Sequence, residues 1–128
     1  MGLSRSEVVQ IKDLVLPYTM VGQAGLDFAI EKAVEQARKG TIFVECGTWK
    51  GGCAFAMVLA QKAAFGEVLS PVHAFDSFEG LPPAEKRDGP AALAWQAAKG
   101  SPLYYDNCKA SLEEVIKARM HLGIYAEE

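Results

Sequence analysis

The octapeptide Glu45-Cys46-Gly47-Thr48-Trp49-Lys50-Gly51-Gly52 sets an acid and three glycines where a β-branched, apolar run gives way to an alanine-rich one. That is the composition of a turn leading from a strand into a helix. Glycine lets the backbone turn sharply and lets a ligand come close to it. The N–H groups that open the helix have no partner inside it and suit an anion, for instance a carboxylate. Glu45 suits an ammonium group, directly or through water. A second acid, Asp76, closes the apolar run Pro71-Val72-His73-Ala74-Phe75, 31 positions after Glu45. An acid at the end of a second strand can accept both hydroxyls of a ribose, and open α/β sheets bind ligands outside the carboxyl ends of their strands. S-adenosylmethionine carries all three groups: a carboxylate, an ammonium and a ribose. Ser77, Phe78, Glu79 and Gly80 then lie beside the adenine and the cleft.

Each residue also has a plainer reading. Glu45 reads as a helix-capping carboxylate, Asp76 as a turn-former in Asp-Ser, and Trp49 as core filler. His73, inside an apolar strand, reads as a packed histidine rather than a base, and His121 as a helix-end histidine. Lys50 reads as a solvated charge or as a contact to a substrate or another subunit. A nicotinamide-dependent dehydrogenase shares the acid after the second strand. The first turn, however, lacks G-x-G-x-x-G.

The elements that must position these residues follow from periodicity. Residues 7–16 carry a weak helical period that Pro17 ends. Leu26, Ala29, Ile30, Ala33, Val34 and Ala37 recur at helical spacing, with Arg38 and Lys39 expected in the last turn and Gly40 as the left-handed stop. Residues 41–46 are apolar without alternation, which predicts a strand covered on both faces. A helix from Gly51 to about Phe65, a strand over 71–76, a loop over 77–89 and a short helix over 90–99 follow. Asp106 or Asn107 is expected to cap a last helix, whose stripe is Cys108, Leu112, Val115, Ile116 and Arg119. Strands alternating with helices predict βαβ units and a parallel sheet. Such a sheet usually has five or more strands, and two are visible. The expectation is a Rossmann-like α/β fold truncated after its first two strands and their helices. It is one unit over 1–128, with an N-terminal helix and loop over 1–22 and an α/β portion over 23–128.

Composition narrows the partners. In 128 residues, 13 Lys plus Arg stand against 16 Asp plus Glu. A net charge of −3 leaves no basic footprint for nucleic acid. No apolar stretch approaches the ~18 residues that span a bilayer. Cys46, Cys53 and Cys108 make an odd count without C-x-x-C spacing, which predicts reduced thiols rather than a disulfide framework or a zinc site.

Taken together, Glu45 to Gly52 and Phe75-Asp76-Ser77-Phe78-Glu79-Gly80-Leu81-Pro82 resemble the corresponding segments of macrocin O-methyltransferases, the TylF-like family. Tyr18-Thr19-Met20 resembles the family's Y-T-M segment, and Tyr105-Asp106-Asn107 with the following helix also fits. The resemblance runs from about Tyr18 to the C-terminus. It implies a class I, S-adenosylmethionine-dependent methyltransferase that acts on a hydroxyl of a sugar or another small natural product. It implies cofactor contacts at Thr19, Met20, Glu45, Cys46, Gly47, Thr48, Trp49, Asp76, Ser77, Phe78, Glu79 and Gly80. A cytoplasmic homo-oligomer that binds no nucleic acid or membrane is the expected setting. Some family members use Mg²⁺, and their metal-binding aspartates and substrate-proximal groups lie in a later half, beyond Glu128. No metal ligand or catalytic residue is therefore assigned here. Glu113, Glu114, Glu127 and Glu128 read as solvated helix and tail charges. The alternative is a truncated, catalytically inactive module that binds the cofactor or its product, or serves as an interaction partner.

Overall fold

The computed structural model describes residues 2–101 and 104–128; Met1, Pro102 and Leu103 lie outside them. Helix α1 (Arg5–Val15) opens with a capping box: the Glu7 N–H donates to Ser4 Oγ, and the Ser4 N–H donates to Glu7 Oε2 at 2.7 Å. Pro17 then sits in a tight turn over Leu16–Tyr18, where a missing N–H costs little. Helix α2 (Gln23–Gln36) buries Leu26, Ile30 and Ala33, the expected stripe. It stops earlier than expected. Ala37 is extended, so Arg38 and Lys39 fall outside the helix, and Gly40, although left-handed (φ 84°), serves the turn beyond it. The cause is Ser70, which is fully buried. The Arg38 N–H donates to Ser70 Oγ at 2.9 Å, and that hydroxyl donates back to Arg38 O at 3.0 Å. This exchange takes the chain out of the helix.

Strand β1 (Phe43–Cys46) pairs in parallel with β2 (Val72–Phe75), Phe43 opposite Val72 and Cys46 opposite Phe75. Helix α3 (Gly52–Phe65) connects them and packs against α1, α2 and β2. Its Phe55, Ala56, Val58 and Ala60 form the centre of a core completed by Ile11, Val15, Leu26 and Ile30. The sheet is not covered on both faces. Phe43, Glu45 and Val72 are half-buried, whereas Ile42 (56%), Val44 (57%) and Phe75 (57%) are exposed, and so are Cys46 and His73. Side chains alternate across a strand. The apolar run therefore presents one face to the helices and leaves the other open, and His73 lies on the open face instead of being packed.

Helix α4 (Pro90–Ala97) begins at proline as expected. The last helix, α5 (Leu112–His121), is capped by Ser111 and not by Asp106 or Asn107: Ser111 and Glu114 form a second capping box. Cys108 therefore precedes the helix, and Leu112 and Ile116 are exposed while Ala118 is buried. Glu128 is no solvated tail charge either. It pairs with Lys62 at 3.2 Å, and its backbone oxygen accepts the Val72 N–H at 2.9 Å.

Gln61 is a polar pivot inside the core. Gln61, fully buried, accepts from the N–H groups of Leu69 and Ser70 and donates to Ser70 O. It fixes the chain that enters β2. Gln61→Leu keeps the volume but strands three backbone groups, at about 1–3 kcal/mol each for those that find no water. A loss of about 3 kcal/mol in urea denaturation is expected; an unchanged midpoint would show that the loop finds other partners.

Candidate functional site

The two strand ends are joined by Asp76. One carboxylate oxygen accepts the N–H groups of Thr48 (2.8 Å) and Trp49 (2.9 Å), in the turn after β1; the other accepts Phe78 N–H at 2.9 Å. Burial pushes the Asp76 carboxyl up, but the N–H groups of Phe78, Trp49, Thr48 and Ser77 outweigh it and leave the group below the usual carboxylate range. Asp76 is thus a turn-former, and it also lines the cleft beyond the strand ends.

That cleft has a volume of about 510 Å³ and is walled by Met20, Gly47, Trp49, Asp76, Ser77 and Gly80 among the residues expected from sequence. Gly47 is left-handed (φ 88°) with open space where a side chain would stand. A β-branched residue would be strained there by its backbone angle, not by a neighbour. Tyr18 and Thr19 press on the start of α3. A Cβ at Gly52 would meet Tyr18 O at 2.6 Å and Thr19 Cβ at 2.7 Å, so glycine is required for the Tyr18-Thr19-Met20 segment to seat. Met20 thereby reaches the cleft, while Thr19 itself accepts the Val21 N–H.

Behind the turn lie polar atoms without partners. Glu45 Oε1, Thr48 Oγ1 and Trp49 Nε1 are buried and unbonded among the described residues. Burial raises the Glu45 carboxyl above the usual range, and the negative charge of Asp76 adds to the rise. The neighbouring Cys53 and Thr48 side chains ease it without bonding Oε1. In turn, burial first and Glu45 second push the Cys53 thiol up to about 12. Trp49 (φ 50°) is not core filler: its ring lies 4.8 Å from the Lys50 ammonium, a cation–π contact that also accounts for Lys50.

Six expected residues stay off the wall. Glu45 and Thr48 lie beneath it, Thr19 beside α3, and Cys46 on the open sheet face, while Phe78 and Glu79 are held in the turn after β2. The structure adds Phe75, Leu81 and Cys108 to the lining. Cys108 arrives on a turn that sequence reasoning missed. Tyr105, Asp106, Asn107 and Cys108 are all left-handed, φ between 48° and 59°. That costs about 1–2 kcal/mol each for Tyr105 and Cys108, and less for Asp106 and Asn107, whose short polar side chains suit the region. The Tyr105 ring meets Trp49 edge-on at 6.0 Å. The sequence signal for the turn is the Asp-Asn pair, which equally suits a helix cap. Among the described residues no three His, Cys, Asp or Glu side chains gather as a metal site would need, and no helix is long and apolar enough to cross a membrane.

The family described as Macrocin-O-methyltransferase (TylF) matches residues 9–120, most of the chain. The chain belongs to that family, which implies methyltransferase activity. Neither a curated protein nor a solved structure matches.

The Asp76 clasp has a pH signature. Asp76→Asn keeps the shape but turns an NH₂ toward donor N–H groups, an expected loss of about 1.5–3 kcal/mol at pH 7 by urea denaturation. The folded carboxyl titrates below its unfolded value, so its contribution is complete above about pH 4–5 and is lost as pH falls through the folded pKa. The gap between wild type and variant should close below about pH 4. A gap that is independent of pH would mean the charge contributes nothing.

Proposed function

We propose that this member of the macrocin-O-methyltransferase (TylF) family binds S-adenosylmethionine in the cleft beyond β1 and β2 and serves methyl transfer to a hydroxyl of a small molecule, a sugar or a related natural product. The observation that carries the reading is Glu45: a half-buried carboxylate beside Asp76, with Oε1 buried and unbonded and no cation paired with it among the described residues. A partly buried charge with no opposite charge beside it is costly, and a ligand ammonium, directly or through water, would relieve it. The chain's other features fit the same molecule. No side chain caps the first turn of α3, which leaves its N–H groups for a carboxylate. Gly47 keeps the approach open. Asp76 keeps about one of a carboxylate's four lone-pair sites beyond its three backbone bonds, room for one ribose hydroxyl.

When bound, S-adenosylmethionine supplies an electrophilic methyl group on sulfur. The protein's part is position. Asp76 locks the two turns into one cradle, Tyr18 and Thr19 set Met20 against it, and Trp49 with Tyr105 closes one side. Holding donor and acceptor in line is worth several kcal/mol of the barrier. Where the family uses Mg²⁺, an acceptor hydroxyl is the group it would orient, and no residue here is assigned to hold it. A cytoplasmic homo-oligomer belongs to the proposal: the open sheet face with Ile42, Val44 and Phe75 is apolar and calls for cover. Light scattering is expected to give a mass above the 13.8 kDa of one chain; a monodisperse monomer would remove this part.

Calorimetry with S-adenosylhomocysteine, alongside NADH as a control, tests the site, and transfer of labelled methyl to a panel of sugar and phenolic hydroxyls tests the activity. Glu45→Gln separates the ligand's role from the fold's. The folded Glu45 carboxyl titrates above its unfolded value, so its charge costs stability at neutral pH, a cost that fades as pH falls toward about 4. The variant should melt higher than wild type at pH 7 and equally near pH 4, yet bind S-adenosylhomocysteine about tenfold or more weakly, the range for a hydrogen bond to a charged group. Unchanged affinity would sink the ammonium assignment.

A further inference from the structure

We propose that the left-handed turn Tyr105–Cys108 is a wall of the cleft that presents the Cys108 thiol to the bound molecule and braces Trp49 with the Tyr105 ring, and that the carboxamides of Gln96 and Asn107 are the positioning groups that hold it there. The inference rests on the reading of the cleft as an S-adenosylmethionine site.

Four successive non-glycine residues in the left-handed region are strain, and strain persists only where the surroundings over-determine it. Here it serves no core: none of the four residues is buried, and Tyr105 is 43% exposed. What the turn achieves is placement. Tyr105 stands edge-on to Trp49, and Cys108 joins the cleft lining.

The determining contacts come from outside the turn. Asn107 Nδ2 donates to Leu81 O at 2.6 Å, its backbone oxygen accepts the Leu81 N–H at 3.0 Å, and its Oδ1 accepts from Gln96 Nε2 at 3.0 Å. Gln96 also donates to Pro82 O at 2.8 Å and accepts the Ala84 N–H at 2.6 Å. One carboxamide pair therefore ties α4, the loop after β2 and the strained turn together. Gly80 is part of the fit, because a Cβ there would meet Asn107 O at 2.8 Å. Every polar group of the two carboxamides that the turn needs is used, and neither carboxamide lines the cleft. Both act through Tyr105 and Cys108.

Thiol alkylation of the full chain reads this directly. Maleimide modification of Cys108 is followed by peptide mass spectrometry, with an unrelated cysteine peptide added to the same tube as the reference. S-adenosylhomocysteine at ten times its Kd should slow Cys108 about tenfold, because only the free fraction reacts, and leave the added peptide alone. Asn107→Gly keeps a left-handed backbone but removes both carboxamide bonds, and Gln96→Ala releases the clasp from α4. Each should speed Cys108 modification in the free protein and weaken S-adenosylhomocysteine by about three- to tenfold, the loss of one or two hydrogen bonds. Asn107→Asp, which retains the acceptor for Gln96 and the left-handed preference, should fall between. A purely structural clasp would lower the melting temperature of the variants without touching ligand affinity or the protection of Cys108. Binding heat in wild type with Cys108 alkylated at its free rate, or variants that bind as wild type does, overturns the inference and spares the site. An absence of binding heat in wild type overturns the site and the inference together.

Discussion

The arrangement depends on one carboxylate accepting three backbone N–H groups. A two-stranded parallel sheet has little of its own to fix the loops at its ends, since each strand here is four residues long. Asp76 supplies the missing constraint. Its oxygens reach across from the end of β2 to Thr48 and Trp49 after β1 and back to Phe78 in its own turn. Hydrogen bonds to an ionised acceptor are roughly twice as strong as neutral ones, so a single side chain can hold two loops in register. The cleft exists because of that register. Gly47 and Trp49 come from one loop and Ser77 and Gly80 from the other, and Asp76 is both the clasp and part of the wall.

Elsewhere among the described residues the buried side-chain polar atoms are paired, Arg119 Nε excepted, so the cluster at the site is informative. Gln61 and Ser70, both fully buried, pair every group they bring to the core chain around them. Glu45, Thr48 and Trp49 do not, and all three sit within five residues of one another at the mouth of the sheet. The backbone shows the same contrast. Trp49 and Phe78 are left-handed in the two loops that form the cleft, and Tyr105 to Cys108 are left-handed in the segment that closes it. Unpaired polar atoms and unfavourable angles are costs that a purely structural region sheds under selection for stability, and they persist at sites.

How much of this was legible in the sequence divides along the range of the interactions. The turn from Glu45 to Gly52, the acid at Asp76 and the buried stripe of α2 rest on local spacing, and local spacing is what a sequence displays. The misread elements were decided by partners far along the chain. Arg38 leaves its helix because of Ser70, 32 positions on. Glu128 is drawn from the tail to Lys62 and β2. Asn107 is claimed by Leu81 and Gln96 instead of capping a helix, and Ser111 takes the capping role. The apolar run before Glu45 gave a strand correctly, but an apolar run does not say how many faces are covered; that depends on which layers stand beside it. Within the site, Met20, Gly47, Trp49, Asp76, Ser77 and Gly80 reach the wall, whereas Glu45 and Thr48 lie under it, a distinction set by side-chain alternation and burial that motif matching does not address.

The position of Glu45 beneath the wall changes what a charged group at this place can do. On the surface, an acid facing an ammonium contributes little, because water screens the pair. Glu45 is half-buried with Oε1 out of water, its carboxyl held up by burial and by Asp76. In such surroundings the same attraction is several times stronger, and the unliganded protein bears the desolvation cost in advance. On the proposed reading, a ligand ammonium would meet an acceptor oxygen already stripped of water. The proximity of Asp76 adds a second effect. Because the clasp keeps Asp76 ionised, its charge opposes that of Glu45. The environments of the two acids drive their titrations apart, one kept low by backbone donors and the other pushed up by burial, and that is the pairing on which the proposed recognition of a cationic group rests.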